Sequence, residues 1–139
     1  MNNEALYLPM GALPVNLYFC FNAKQWEWVV TKLMGYTLGR VHPFMDMDNK
    51  GEGAANGLCT RFTADGNGVG CMHTIVISVD GQSDREPNQI CGTICHEASH
   101  ALDYIIEAMN EDEPGSEFKA YTIQWIAQAG ILWYGEQRT

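Results

Sequence analysis

Residues 87–109 read PNQICGTICHEASHALDYIIEAM, and Asn110 follows. Proline fixes φ near the helical value and lacks an N–H that the first turn leaves unbonded anyway, so Pro87 suits the start of a helix. Asparagine tolerates the left-handed conformation that closes helices, which sets the end near Met109. Within such a helix, residues four apart share a face. His96 and His100 can therefore present two imidazole nitrogens to one zinc ion, at about 2.0–2.1 Å each. Glu97 lies about 100° round the helix, off the metal but near enough to take a proton from a water that zinc has acidified. The flanking Thr93, Ile94, Cys95, Ala98, Ser99, Ala101 and Leu102 are uncharged, whereas a solvated helix mixes charges into such positions.

Upstream, VNLYFCF at 15–21 is β-branched and aromatic, which suits a buried strand. Asn22 then offers an N-cap to an amphipathic helix from Ala23 to Met34, with Gly35 at its C′ position. HTIVISVD at 73–80 predicts the clearest strand, with Ile75, Ile77 and Val79 on one face. Shorter strands are expected at 36–41 and 58–62, with turns at 48–51 and 65–68. After the acidic loop 111–116, a last helix is expected from Glu117 to Trp133. Strands come first and two long helices last, with no repeat and no linker. The expectation is one α+β domain over 1–139, a small and mostly antiparallel sheet packed on the metal-binding helix and a second, C-terminal helix.

The chain has 139 residues, 46% of them hydrophobic, which supports a core without disulfide staples. Its formal charge is −9 and its basic residues are scattered, so nucleic acid is not expected as a partner. No apolar run reaches the roughly 18 residues of a membrane span, and Met1 to Ala12 has neither the basic nor the apolar segment of a signal peptide. No membrane partner is expected. Cys20, Cys59, Cys71, Cys91 and Cys95 are odd in number and lack the spacing of secreted domains. Free thiols and a cytoplasmic location are expected.

A catalytic zinc takes three protein ligands and keeps one open position. Asp103 shares the histidine face but stands about 10 Å along the axis from His96, too far to join the same ion. It suits a carboxylate that holds an imidazole N–H. Glu117 is the better third ligand, because the residues before it span more than about 20 Å when extended and can return the chain to the metal. It also begins a polar stripe of Glu117, Tyr121, Gln124 and Gln128 on a helix otherwise rich in Ile, Trp and Ala. The plainer role for Glu117 is a carboxylate stabilised at a helix N-terminus.

HExxH followed after a short gap by a glutamate on a second helix resembles the gluzincin branch of the zincin zinc peptidases. Glu117-Phe118-Lys119-Ala120 is similar to the E-x-x-A of compact bacterial and phage zinc peptidases. The resemblance covers about Gln89 to Gln128, under a third of the chain. Metzincins are excluded, since Asp103 and Ile106 stand where their Gly and third His would be. The resemblance implies a compact zincin-like fold, a Zn2+ cofactor and a peptide or protein substrate. It implies His96, His100 and Glu117 as metal ligands and Glu97 as general base. Tyr121 departs from the acidic residue of some gluzincins; its hydroxyl would stabilise the oxyanion or bond a ligand. An edge strand above the metal is also implied, to which substrate adds by backbone pairing, with His73–Asp80 as candidate.

Three other readings compete. Cys59 or Cys71 could replace Glu117, as in peptide deformylases, whose cysteine motif Gly57-Leu58-Cys59-Thr60 resembles loosely; Ser99 stands where their metal helix has an aspartate. Zinc could serve only to stabilise an assembly. The apolar helix from Tyr121 to Tyr134 could form a metal-free interaction module. Cys91 and Cys95 are expected as core thiols, His42 in a loop and His73 at a strand edge. The sequence leaves oligomeric state open.

Overall fold

The computed structural model describes residues 3–33, 44, 56–62, 73–81 and 85–137. Four strands, β1 (Leu6–Leu8), β2 (Val15–Cys20), β3 (Gly57–Phe62) and β4 (His73–Val79), form one mixed sheet in the order β1-β2-β4-β3. β1 pairs antiparallel with β2, and β3 with β4, while β2 and β4 run parallel, Val15 opposite His73 and Cys20 opposite Ser78. The class is α+β, as expected, and most pairings are antiparallel. β1 had no counterpart in the sequence reading.

Parallel neighbours need a crossover connection, and the segment after β2 begins one. Asn22 is extended at φ −155°, and its side-chain oxygen accepts from the Gln25 N–H at 2.9 Å. The capped helix α1 (Ala23–Glu27) then widens into a π-helical stretch, Trp28–Leu33. Its expected end at Met34 and Gly35, the strand at 36–41 and the turns at 48–51 and 65–68 lie outside the described residues.

Alternation along the strands sends apolar side chains to both faces. On one face Leu17, Phe19, Ile75, Ile77 and Val79 pack against α2 (Pro87–Met109) and α3 (Ser116–Gln137), which supply Ile90, Ile94, Ala98, Ile105 and Ile126. Fully burying one such Leu or Ile stabilises the fold by about 1.5–3 kcal/mol. On the other face Trp26, Val29 and Val30 cover Cys20 and Val76.

This second cluster corrects one expectation. Alternate Ile75, Ile77 and Val79 suggest a half-buried edge, but Val76 and Ser78 are buried too, and β4 lies between β2 and β3. Its sequence is that of an interior strand with helices on both sides. The sheet edge beside α2 is instead β3.

Asn110 closes α2 in the left-handed conformation at φ 57°, ψ 40°. The connection 110–115 extends to about 24 Å at most, too short to return along a helix of about 33 Å, so α3 runs antiparallel to α2. Gly130 fixes the register: a Cβ there would lie 2.6 Å from Phe19 Cε1 and 2.8 Å from Ile94 Cγ2. Only a residue without a side chain lets α3 approach this closely.

Candidate metal centre

His96 and His100 project from the exposed side of α2, opposite the face that carries Ile94, Ala98 and Ile105 into the core. Their Nε2 atoms stand 3.2 Å apart and the rings are tilted at 75°. Two nitrogens at about 2.05 Å from a common ion and 3.2 Å from each other subtend about 100° at it, close to the tetrahedral angle that zinc favours. Without metal, the same approach accommodates an N–H···N hydrogen bond when one ring carries its proton on Nε2. As a bidentate zinc donor set the pair fits.

Glu97 lies on the next flank of α2 and is 6% exposed. Burial raises its carboxyl pKa above the usual range, and positive charge on His96 or His100 pulls it back. Desolvation thus strengthens the basicity that a proton-accepting carboxylate needs.

The wall over Glu97 is the start of β3. A Cβ on Gly57 would lie 2.7 Å from Thr93 Cγ2, 3.1 Å from Glu97 Cγ and 3.2 Å from Glu97 Oε1. Glycine at a strand terminus often marks such a close approach, a signal the sequence reading passed over. Cys59, two residues along and on the same face of the strand, is 8% exposed and packs in the core. Burial, and then the charge of Glu97, push its thiol pKa up. Zinc binds the thiolate, so a metal held there would have to displace that proton. Cys71, the other candidate thiol, lies outside the described residues. Among the described cysteines, Cys20, Cys59, Cys91 and Cys95 are free; Cys95 is exposed and Cys91 half-buried, so only part of the expected core placement holds.

β3 and α2 run in the same direction, with Gly57 against Thr93 and Glu97, and Arg61 ion-paired to Glu107 with its guanidinium 4.8 Å above the Tyr104 ring. Between them opens a cleft of about 560 Å3, walled by Asn56 and Gly57 on one side and Thr93, His96 and Glu97 on the other. Arg85 stands at its end; its guanidinium donates to Thr93 Oγ1 at 2.9 Å and to the Gln89 carbonyl at 3.4 Å. Nothing in the sequence around Arg85 shows where its side chain points.

The other expected residues fall elsewhere. With Gly130 against Ile94, Glu117 in the first turn of α3 is level with Glu107, about 10 Å along the axis beyond His100. Among the described residues no three His, Cys, Asp or Glu side chains gather as a metal-holding group. Tyr121 is 65% exposed on the outward side of α3. Asp103 is exposed and makes no hydrogen bond to either imidazole among the described residues. His73, at the opposite end of β4 from the residue paired with Gly57, is about 20 Å away along the strand, too far to serve this cleft. His42 lies outside the described residues. No described helix is long and apolar enough to cross a membrane. No protein-family model, characterised protein or solved structure matches this chain.

Proposed function

We propose that this chain is a zinc-dependent, zincin-like peptidase that works in the cleft between β3 and α2. One observation carries the reading: two imidazole Nε2 atoms converge to 3.2 Å beside a buried carboxylate, and His96 and Glu97 line a cleft beside β3. Zinc held by His96 and His100 would supply Lewis acidity, lowering the pKa of a water and polarising a carbonyl. Glu97 would take a proton at its carboxylate from the attacking water and pass it to the leaving amine. Burial of Glu97 keeps the carboxylate basic for the first transfer. An extended peptide would add by backbone pairing to β3, an edge strand among the described ones, which would hold the scissile bond over Glu97.

His96 and His100 give two of the three protein ligands that a catalytic zinc takes. Glu117 can be the third only if α3 slides by about two turns along α2 when metal binds; the Gly130 contact opposes that slide. Tyr121 would join the chemistry only through the same movement. The scattered basic residues and charge of −9 favour a peptide substrate over nucleic acid. Free thiols fit a reducing, cytoplasmic setting.

A non-catalytic protein that holds zinc at its surface is the second reading, since His96 and His100 both lie on the exposed side of α2. The two are separated by Glu97→Gln, which keeps shape and removes basicity. Wild type and variant, each loaded with zinc, are mixed with a cell extract, and new protein N-termini are compared. Cleavages made by wild type and lost in the variant support the peptidase. Identical termini in both samples overturn it.

A further inference from the structure

The outward side of α3 takes no part in the cleft. Of the five large hydrophobic side chains exposed among the described residues, four belong to this helix: Tyr121, Trp125, Ile131 and Leu132. From Ala120 to Gly135 it holds no charged residue, although Gln124 and Gln128 face solvent beside those four. α2, by contrast, turns Asp103 and Glu107 outward. A helix that is apolar all round is normally covered on every side. The body of the protein covers α3 on the side of Thr122, Ile126 and Gly130.

Tyr121, Trp125, Gln128 and Leu132 follow at intervals of four, three and four, which draws one stripe along the helix nearly opposite Ile126 and Gly130. Such spacing is that of a seam between two helices. Trp125 is fixed within it, because its indole Nε1 donates to the Pro9 carbonyl at 3.1 Å. Its one polar atom is thus satisfied inside the chain while the residue stays 50% exposed. A pinned aromatic of this kind anchors interfaces well, since little rotamer entropy remains to be lost.

Three features name the occupant. Two α3 helices laid antiparallel about a two-fold axis bring Tyr121 of each copy onto Leu132 of the other, and Trp125 onto Gln128, so the stripe is complementary to itself. It is also a surface on which a chain of net charge −9 meets a copy of itself without opposing like charges. The four apolar side chains leave roughly 400–500 Å2 open, and with Gln124 and Gln128 about 600 Å2. A pair of copies would then bury about 1,200 Å2, the lower end of the range for specific interfaces.

We propose that the protein forms a two-fold dimer through the outward stripe of α3, helix antiparallel to helix, with Tyr121, Trp125 and Leu132 as its apolar anchors. The cleft lies beside β3, at the other edge of the described sheet from β1 and Pro9, so the dimer stands or falls independently of the peptidase reading.

An interface of this size gives a Kd of about 1–50 µM, so the full chain should pass from monomer to dimer between about 1 and 200 µM in sedimentation equilibrium. Tyr121→Lys and Leu132→Glu each set a charge in the seam and should each weaken association about thirty-fold or more. Both side chains are exposed, so circular dichroism and Tm should stay those of wild type. Mixed in equal amounts, the two variants should dimerise again. The antiparallel register then forms a Lys–Glu pair at one end of the seam and keeps the native Tyr121–Leu132 contact at the other, a rescue that parallel pairing cannot give. Wild type that stays monomeric over the whole range, a dimer that both variants retain, or variants that stay monomeric on mixing overturns the interface. A monomeric wild type that instead sediments with phosphatidylcholine vesicles assigns the stripe to a lipid surface and overturns the dimer as well.

Discussion

Replacing Gly57 with alanine tests how the site is walled. Carbon atoms in contact sit at about 3.5–4.0 Å, but the new Cβ would stand 2.7 Å from Thr93 Cγ2 and 3.1 Å from Glu97 Cγ. β3 must therefore lift from α2 by close to 1 Å, or Thr93 must turn and give up its hydroxyl contacts with Arg85 and the Gln89 carbonyl. Overpacking of this kind costs about 1–3 kcal/mol. Alanine recovers about 0.5–1 kcal/mol of the backbone entropy that glycine loses in a strand. The net expectation is a loss of about 1–2 kcal/mol, a fall in Tm of about 3–6 °C for a chain of this size. Thr93→Ser removes the offending methyl and keeps the hydroxyl. In the double variant it should return about 1 kcal/mol, a coupling that a double-mutant cycle in urea reads directly. Gly57→Ala as stable as wild type, or a cycle that is additive, would refute the close approach of β3 to α2.

Gly130→Ala should destabilise by about 1–2 kcal/mol despite alanine's advantage of about 1 kcal/mol in helices, because Phe19 and Ile94 are both fully buried and cannot yield; a thermal melt at or above wild type would count against the α2–α3 register. In the zinc-free protein, the raised pKa of Glu97 means that the folded state holds its proton over a window just above the usual carboxylate range, so stability falls as pH rises through that window. Glu97→Gln should therefore gain on wild type as pH rises through and just above the usual carboxylate range in paired urea titrations, and a variant that loses ground there contradicts the burial argument. Glu117→Ala should leave zinc affinity within about three-fold, since α3 in its present register holds Glu117 about two turns beyond His100; a loss of one hundred-fold or more by competition titration would show that α3 shifts on metal binding.

Local signals read well in this chain. Pro87, Asn110 and Asn22 fixed helix ends through single-residue backbone chemistry, and α2 begins and ends where they place it. The pairing of His96 with His100 needed only helical periodicity, and their Nε2 atoms do converge. Long-range facts were not legible. The alternation of Ile75, Ile77 and Val79 is common to an edge strand and an interior one, and burial of the intervening Val76 and Ser78, with Val76 beneath Trp26 and Val29, distinguishes them. Glu117 was placed by chain reach alone, which permits many registers; Gly130 against Ile94 selects one that keeps it from the histidines. Arg85 reaches the cleft through a side-chain direction that no periodicity encodes.

The claim on which everything else rests is that His96 and His100 hold one zinc ion. Elemental analysis of the protein purified without chelator, then dialysed against limiting zinc, tests it directly when wild type, His96→Ala and His100→Ala are run together. The account predicts about one zinc per chain in wild type, and under a tenth of that in either variant with the fold retained by circular dichroism. Wild type that binds no zinc, or a folded His96→Ala that keeps a full equivalent, would contradict it.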